Sequence, residues 1–465
     1  MRTGASLHGL FSTALLFSGL NYPDRFWQTF RHSICDDLPY HLRTMNIHHF
    51  TENEVYDYGL YLLDQILQEA GKKLTDFPSM PSFVRNWDIT TTNRLIIEQL
   101  DWDLETERAS AETYIDMLNS EQRIAFNDIW KSIACEEGRS FFINGPGGTG
   151  KTFLEKTICH AVHAEGWIIL CVASTGLAAL LLPAGRTAHS MFKIPIETLG
   201  ADSICHIPKE SQRAELLCQT KAMIYDECLM NHKHCFEALD RTLRDVRNND
   251  SLPYGGLTVI HGGDFQQILP VIIKGKKEDV IEASLQQSYL WDSMKIITLH
   301  VNMRLESSAE EVKFAQWLLA IGHGQNLTDD GCVVLPNHIV NTDPDSFINK
   351  LYGAMSYSSS PPPPQYFLDR TILAPKNKDV RATNNAILNQ MPGDEMTFFS
   401  ADNIIDTERN VTCNQGAIPL EYLHSLEPAA LPPSELKVKL GCPLILMCNL
   451  RPSQGLCNGT QLILL

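Results

Sequence analysis

Short β-rich runs and helical spacings alternate through the middle of the chain. The runs lie at 141–143, 168–172, 222–225, 258–260 and 296–299. Runs this short, apolar and rich in β-branched residues are typical of strands that are buried on both faces of a sheet. Because helical patterns separate them, the sequence predicts an α/β fold in which helices cover both faces of a parallel sheet.

Residues 1–112 show helical spacing and no phosphate-binding, metal-binding or nucleophile pattern, so we interpret them as a helical accessory region. The apolar run at 7–20 is too short to span a membrane and has no clean small-residue cleavage site, which indicates a buried helix. The charged stretch 101–112 indicates a solvated linker or an exposed helix. The residues with this helical spacing are the apolar side chains Trp27, Phe30, Leu60, Leu63 and Ile66.

A helix start follows Leu118. Asn119 can cap this helix, and Gln122 stands three residues further on, as in a capping box. A glutamine amide offers one acceptor and two donors, which also matches an adenine edge. Capping and adenine recognition therefore both remain open for Gln122.

Residues 145–152 read GPGGTGKT and fit the phosphate-loop pattern GxxxxGK[ST] between a strand and a helix. The glycines let successive N–H groups face phosphate oxygens, and the helix start adds its positive end. Lys151 would reach the β and γ phosphates, and the Thr152 hydroxyl would coordinate Mg²⁺. The loop therefore predicts ATP and Mg²⁺ as cofactors. Its candidate nucleotide-binding residues are Gly145, Pro146, Gly147, Gly148, Thr149, Gly150, Lys151 and Thr152.

Two acids, Asp226 and Glu227, end the run at 222–225, as in a Walker B element. Asp226 would hold Mg²⁺, and Glu227 would orient and deprotonate the attacking water. A solvated acidic pair is the alternative. Because ligands of such sheets bind at the carboxyl ends of the strands, Lys151, Asp226 and Gln267 are predicted to converge.

Two further features carry weaker signals. Arg304 follows the run at 296–299 and is a candidate clamp on the γ phosphate, although an unpaired surface arginine fits the spacing equally well. The segment 173–196 mixes small residues with hydroxyls and His189, a composition suited to contact with a nucleic-acid backbone. A lone surface histidine is the alternative for His189.

Composition narrows the function classes. The 465-residue chain is 44% apolar and 20% charged, and its net charge of −17 argues against nucleic-acid binding by the overall field. Any nucleic-acid contact must therefore be local. The thirteen cysteines form no CxxC pairs, which indicates reduced thiols inside a cell. Cys228, His232, His234 and Cys235 have the side-chain types of a zinc site, but their position on a sheet-packing helix argues against one.

Six motifs follow one another along the chain: GPGGTGKT at 145, ASTGLAALLLPAGRTAHSMFKIPI at 173, YDE at 225, GGDFQQILPVI at 262, LAPKN at 373 and LPPSELKVKLGCPLILMCNL at 431. In this order they resemble the motifs of the Pif (Pif-one) family of superfamily-one, ATP-dependent DNA helicases, which translocate 5′ to 3′. The resemblance covers about residue 113 to the end and is closest to the branch encoded by Helitron transposons.

The resemblance implies roles for individual residues. Gln122 matches the adenine-reading glutamine, Gln267 the γ-phosphate sensor and Arg304 an arginine finger. Lys151 matches the phosphate-binding lysine, and Asp226 with Glu227 match the hydrolytic acids. The positions that match residues facing single-stranded DNA are Thr175, His189, Lys376 and Asn377.

The resemblance also implies a domain order. A RecA-like P-loop NTPase domain is expected at 113–305, a connecting region with a proline-rich loop at 306–369, and a partial second RecA-like domain at 370–465. The second domain would contain strands at 371–374 and 443–448 and a helix at 378–389. The implied partners are single-stranded DNA and duplex junctions, without a membrane, for a nuclear monomer in DNA repair, recombination, telomere maintenance or Helitron transposition.

The family normally continues with a small β insertion and two further motifs, and we expect none of these within the 465 residues. Such a chain would bind ATP and Mg²⁺ but hydrolyse ATP feebly and not unwind DNA. The sequence thus leaves three functions open: an ATP-driven helicase, a nucleotide- and DNA-binding remnant, or a different P-loop ATPase.

Overall fold

The chain folds into two compact units, the first extending to Gln325 and the second beginning at Asn326. The computed structural model describes residues 4–17, 22–44, 47, 50–69, 72–77, 79–85, 87, 93–196, 199–305, 309–357, 360–400, 405–406, 411–412, 434–447 and 459–465.

The first unit combines helices with six strands. Its α-helices are α1 (Gly4–Phe17), α2 (Pro23–Ile34), α3 (Leu38–Thr44), α4 (Glu52–Glu69), α5 (Arg94–Leu100), α6 (Leu104–Met117), α7 (Ser120–Ala134), α8 (Lys151–Ala164), α9 (Gly176–Ala179), α10 (Ala188–Phe192), α11 (Gln212–Gln219), α12 (Lys233–Val246), α13 (Lys277–Glu282) and α14 (Ala309–Gly322). Its strands are β1 (Ser140–Asn144), β2 (Ile168–Ala173), β3 (Arg186–Thr187), β4 (Thr220–Asp226), β5 (Thr258–Gly263) and β6 (Met294–Thr298).

These strands form a single parallel sheet in the order β3-β2-β4-β5-β1-β6. All five runs predicted as strands lie in it, so the predicted α/β P-loop fold is confirmed. The strand β5 lies between β1 and β4. The end of β1 and the end of β4 are therefore separated by one strand.

Alternate residues of each strand point to opposite faces, and both faces are buried. Phe142, Leu170 and Tyr225 belong to the apolar core that also contains residues of α10, α11 and α12. On the other face Phe141 and Ile224 belong to the core that contains residues of α7 and α8. This two-sided burial explains why the strands read as continuous apolar runs.

The helices before the sheet have their own core, which includes Phe11, Trp27, Leu63 and Trp87. The buried helix expected at 7–20 is confirmed over Gly4–Phe17, and residues 18–20 lie outside the described ones. No helix in the described ranges is long and apolar enough to cross a membrane.

The stretch 101–112 is helical from residue 104 and mostly exposed, which agrees with the predicted exposed helix, but two of its residues are buried. Most of it belongs to α6, which packs on α8 and buries Glu107 and Ala111. Charge pattern alone could not show this, because Glu107 is buried through a polar contact with a histidine of α8.

Helix α5 also contacts the sheet-containing part of the first unit. Asn93 caps α5 through the Leu95 N–H, and its amide donates to the Gln212 carbonyl at 2.6 Å and to Glu215 Oε2 at 2.9 Å. Helix α5 precedes residue 113, where we placed the domain boundary, and α6 spans that residue. The division into domains stays a prediction.

The second unit is smaller and is built from short elements. Its helices are α15 (Pro344–Tyr352), α16 (Pro364–Leu368) and α17 (Asn377–Gln390), and its strands are β7 (Met396–Phe399), β8 (Ile405–Asp406), β9 (Val411–Thr412), β10 (Glu435–Val438), β11 (Pro443–Ile445) and β12 (Gln461–Ile463). A compact core contains Tyr352, Met355, Met391, Val438 and Cys442.

The strands of the second unit pair only antiparallel within the described residues, as β10 with β7, β11 with β12 and β8 with β9. The helix predicted at 378–389 is confirmed by α17. The strand predicted at 371–374 is wrong, because these residues join no sheet. Of the strand predicted at 443–448, residues 443–445 form β11, and residue 448 lies outside the described ones.

Candidate nucleotide-binding site

The loop between β1 and α8 adopts a conformation that requires glycine at two positions. Gly148 has φ +90° and Gly150 has φ +80°, both in the left-handed region. A Cβ at Gly148 would lie 2.5 Å from Asn302 Oδ1, so a side chain there would also collide with its neighbour. Helix α8 begins at Lys151, directly after this turn.

Lys151 places its ammonium inside the loop. Its Nζ donates to the Gly145 carbonyl at 2.6 Å, and the residue is only 7% exposed. The charge is therefore held within the curve of the loop, beside the start of α8. A buried cation and a helix amino terminus in one place favour an anion such as phosphate.

Gln122 supports both the loop and the preceding helix. Its backbone N–H donates to Asn119 Oδ1 at 2.9 Å, and its Oε1 accepts the Asn119 N–H at 3.1 Å, so the capping box is confirmed. Its Nε2 also donates to the Thr149 carbonyl at 3.0 Å. This contact was not predicted, and adenine recognition by Gln122 stays a prediction.

Two oxygen ligands suitable for Mg²⁺ face each other at the loop. Asp226 is the last residue of β4 and is buried, and its Oδ2 accepts from Thr152 Oγ1 at 3.4 Å. A hydroxyl and a carboxylate are hard oxygen donors of the kind that Mg²⁺ prefers beside phosphates. Thr152 and Asp226 therefore fit the predicted cation.

Glu227 is held beside this pair in a strained conformation. Its φ of +48° lies in the left-handed region, and its N–H donates to Asp226 Oδ1 at 2.8 Å. Burial, the Asp226 carboxylate and Asp264 raise the pKa of Glu227, whereas Lys151 lowers it. A raised pKa makes a carboxylate a stronger proton acceptor, which suits the role of general base.

The predicted sensor and clamp follow the carboxyl ends of β5 and β6. Gln267 is exposed and donates from Nε2 to Asp264 Oδ2 at 3.2 Å. The Met303 N–H donates to the Gly148 carbonyl at 2.8 Å, so the segment that carries Arg304 lies against the loop. Arg304 itself is exposed, and its backbone N–H donates to Asn302 Oδ1.

The candidate DNA-contacting residues lie in both units. Thr175 caps α9 by accepting the Ala178 N–H, directly after β2. His189 lies in α10 and is half-buried, and this burial lowers its pKa. Lys376 and Asn377 are exposed at the start of α17 in the second unit. Their roles toward DNA stay predictions.

The zinc alternative finds no support. Cys228 and Cys235 are buried in the apolar core, and His234 Nδ1 lies 2.8 Å from Glu237 Oε2. Across the described ranges, no group of three or more histidine, cysteine, aspartate or glutamate side chains is arranged to hold a metal ion.

Sequence reasoning missed three side chains at the site. Asn302 faces Gly148, Asp264 neighbours Glu227 and Gln267, and Glu155 lies beneath the loop in α8. The aspartate was visible inside the GGDFQQ motif. The other two carried no signal, because their contacts depend on how distant segments pack.

Residues 117–331 match the sequence model of the PIF1-like helicase, and residues 421–465 match that of the DNA helicase Pif1 2B domain. Residues 117–331 therefore belong to the PIF1-like helicase family. The second match corrects one expectation. We expected none of the family's later parts, including its small β insertion, within the 465 residues, but residues 421–465 match the 2B domain of Pif1.

Named relatives agree with this family. The ATP-dependent DNA helicase PIF1 of Xenopus laevis is 26% identical over 352 residues, which cover 74% of this chain and 46% of that protein. The human PIF1 helicase is 27% identical over 366 residues, covering 77% and 48%. This chain thus spans less than half the length of either relative. Pif1 helicase from Candida albicans aligns with a TM-score of 0.49 at 21% identity, covering 74% of this chain and 68% of that one.

Proposed function

We propose that this chain is the ATP-hydrolysing part of a DNA helicase that moves 5′ to 3′ along single-stranded DNA and opens duplex junctions. The observation that supports the hydrolysis most directly is the meeting of Lys151, Thr152, Asp226 and Glu227 at one edge of the sheet. Family membership supports DNA as the substrate.

Each residue at this edge has a part in hydrolysis. Lys151 and the loop N–H groups bind the β and γ phosphates, while Thr152 and Asp226 hold Mg²⁺. When bound, Mg²⁺ neutralises charge that develops on the phosphates. Glu227 orients the attacking water and accepts its proton.

Two residues outside the loop complete the proposed reaction. Gln267 senses the γ phosphate from the end of β5. Arg304 stabilises the charge that develops on the transferred phosphoryl group, because its segment is already hydrogen-bonded to the loop at Gly148.

The DNA contact is local, since a chain of net charge −17 repels a polyanion overall. Thr175 and His189 supply it from the first unit, and Lys376 and Asn377 from the second. Because burial lowers the pKa of His189, this ring contacts DNA as a neutral group that hydrogen-bonds or stacks. We further propose that the protein acts as a nuclear monomer in DNA repair, recombination, telomere maintenance or Helitron transposition.

A direct test compares ATP hydrolysis with and without single-stranded DNA, and strand displacement on duplexes with a 5′ or a 3′ tail. We expect DNA-stimulated hydrolysis, displacement only from the 5′ tail, and neither activity in Lys151→Ala. Displacement from the 3′ tail would contradict the direction. Binding of ATP and DNA without displacement would favour the nucleotide-binding remnant instead.

A further inference from the structure

Glu121 is an acid in the first turn of α7 that the reaction described above does not use. Its Oε2 accepts the backbone N–H of His300 at 2.8 Å, and its Oε1 lies 3.4 Å from Nδ1 of the same residue. Hydrogen bonds from the backbone N–H groups of His300, which has the larger effect, and Val301 lower the pKa of the Glu121 carboxyl. A carboxylate of α7 is thus bonded to a segment that lies 179 residues away in the sequence.

The segment bound by Glu121 leads from β6 to Arg304. The sheet bonds of β6 end at Leu299, whose N–H donates to the Asn144 carbonyl at 2.8 Å. Residues 299–305 are all described, and they form neither a helix nor a strand. The course of this segment is therefore set by its contacts with neighbouring elements and not by regular secondary structure.

The phosphate loop binds the same segment two residues after Val301. The Met303 N–H donates to the Gly148 carbonyl at 2.8 Å. Asn302 Oδ1 accepts the Arg304 N–H at 3.0 Å and lies 2.5 Å from the place that a Cβ at Gly148 would occupy. The backbone directly before Arg304 is therefore held at two points, one on α7 and one on the loop.

Two points of attachment matter because Arg304 is exposed and has a long side chain. Such a side chain stabilises a transition state only when its backbone holds it within reach of the reacting group. The bond at Gly148 alone would leave the segment free to turn about that point. The bonds to Glu121 fix a second point, and bonds from N–H groups to a carboxylate are stronger than those between neutral groups.

We propose that Glu121 is a positioning residue, which accepts the backbone N–H groups of His300 and Val301 and thereby holds Arg304 toward the transferred phosphoryl group. This inference rests on the proposed function of Arg304. It adds a residue of α7 that acts through the backbone of 300–304 and not through the nucleotide.

The test measures single-turnover ATP hydrolysis and the affinity for a fluorescent ADP with and without aluminium fluoride, which completes a mimic of the transition state. Glu121→Gln keeps the length and an acceptor oxygen, so we expect both quantities within about threefold of the parent. Glu121→Met keeps the length without an acceptor. It should lower hydrolysis and the affinity for ADP with aluminium fluoride about tenfold, since small misplacements of a catalytic group can cost up to about 10²-fold. The affinity for ADP alone should be equal in all three proteins.

Two controls separate this role from a general loss of structure. His300→Ala removes the ring beside Glu121 but keeps the backbone N–H, so it should match the parent. Glu121→Met introduced into Arg304→Ala should add no further loss, because the positioned group is already absent. The Glu121 side chain is 32% exposed, so its variants should melt as the parent does.

Three results would overturn the inference. If Glu121→Met binds ADP with aluminium fluoride as tightly as the parent, Glu121 does not position Arg304. If Glu121→Gln is as weak as Glu121→Met, the negative charge and not the acceptor matters. A further loss in the double variant, or an equal loss in His300→Ala, would show that Glu121 acts by another route. Unchanged hydrolysis in Arg304→Ala alone would instead contradict the role of Arg304 in the proposed function.

Discussion

The two ends of helix α8 both bury polar side chains, but they do so in different surroundings. At the amino end, Lys151 and Glu155 face the loop and the end of β4, and neither Glu155 oxygen has a donor. At the carboxyl end, His160 and His163 face Glu107 of α6. The amino end faces the candidate nucleotide-binding site, and the carboxyl end faces α6.

The contacts at the carboxyl end are those of a packing interface. His160 Nδ1 lies 2.7 Å from Glu107 Oε2, and the His163 ring stacks on Trp102 with centroids 4.2 Å apart. Arg108 adds a bond to the Ala164 carbonyl. Buried polar groups therefore do not by themselves mark a ligand site. The two ends differ in how their acids are paired, because Glu155 has no hydrogen-bond donor whereas Glu107 is hydrogen-bonded to His160.

The largest expected effect is at the amino end. Lys151→Ala removes a phosphate-facing charge without altering an apolar core, so ATP hydrolysis should fall by about 10³-fold, as for other electrostatic stabilisers of a transition state. Melting should change little. Lys156→Ala removes a half-exposed charge from the same helix and serves as the matched control in a steady-state ATPase assay. Equal rates in the two variants would refute a phosphate-binding role for the loop.

The second largest expected effect is on the rate of ATP hydrolysis and not on nucleotide affinity. Glu227→Gln preserves shape and removes the proton acceptor, so hydrolysis should fall roughly 10²-fold while nucleotide affinity is kept. A single-turnover assay beside equilibrium binding separates the two. Glu165→Gln, at the opposite end of α8, should leave both unchanged. Normal turnover in Glu227→Gln would remove this residue from catalysis.

At the carboxyl end the effect should be on stability. Glu107→Ala leaves His160 without its partner and should lower the free energy of unfolding by about 2 kcal/mol, the usual cost of a lost bond to a charged group. Nucleotide affinity should not change. Glu105→Ala, exposed on the same helix, is the control in urea unfolding. A loss of ATP binding in Glu107→Ala would show that the two ends are not independent.

The smallest effect is a pH dependence at the same end. Burial lowers the pKa of His163 from 6.5 to about 4, although the nearby Glu107 opposes this shift. The unfolded chain therefore binds the proton more readily, and stability is lost as pH falls from about 6.5 toward 4.

Replacing His163 by phenylalanine should remove this contribution, roughly 2 kcal/mol between pH 7 and pH 5. Urea unfolding of both proteins at the two pH values measures this difference in stability. Burial also lowers the pKa of His261 to about 4, but His261 is present in both proteins, so its contribution cancels. Equal pH slopes in the two proteins would count against a buried, neutral His163.

The sequence by itself determined the features that neighbouring residues create together. The loop at 145–152 needs only its own glycines and the strand and helix beside it. The capping box of Asn119 and Gln122 closes within three residues. The five strands were predictable because burial on both faces leaves a continuous apolar run, which chain order alone displays. The convergence of Lys151 and Asp226 followed from the parallel topology.

Only the tertiary structure decided contacts between distant segments. Asn302 meets Gly148 because the chain after β6 returns over the loop. Glu155 and Asp226 are neighbours because both lie against Gly262 of β5, where a side chain would leave them no room. The sequence predicts that Glu107 is a solvated charge. Its burial depends on how α6 packs on α8. Such pairings depend on register and packing across the fold, which no local pattern of residues records.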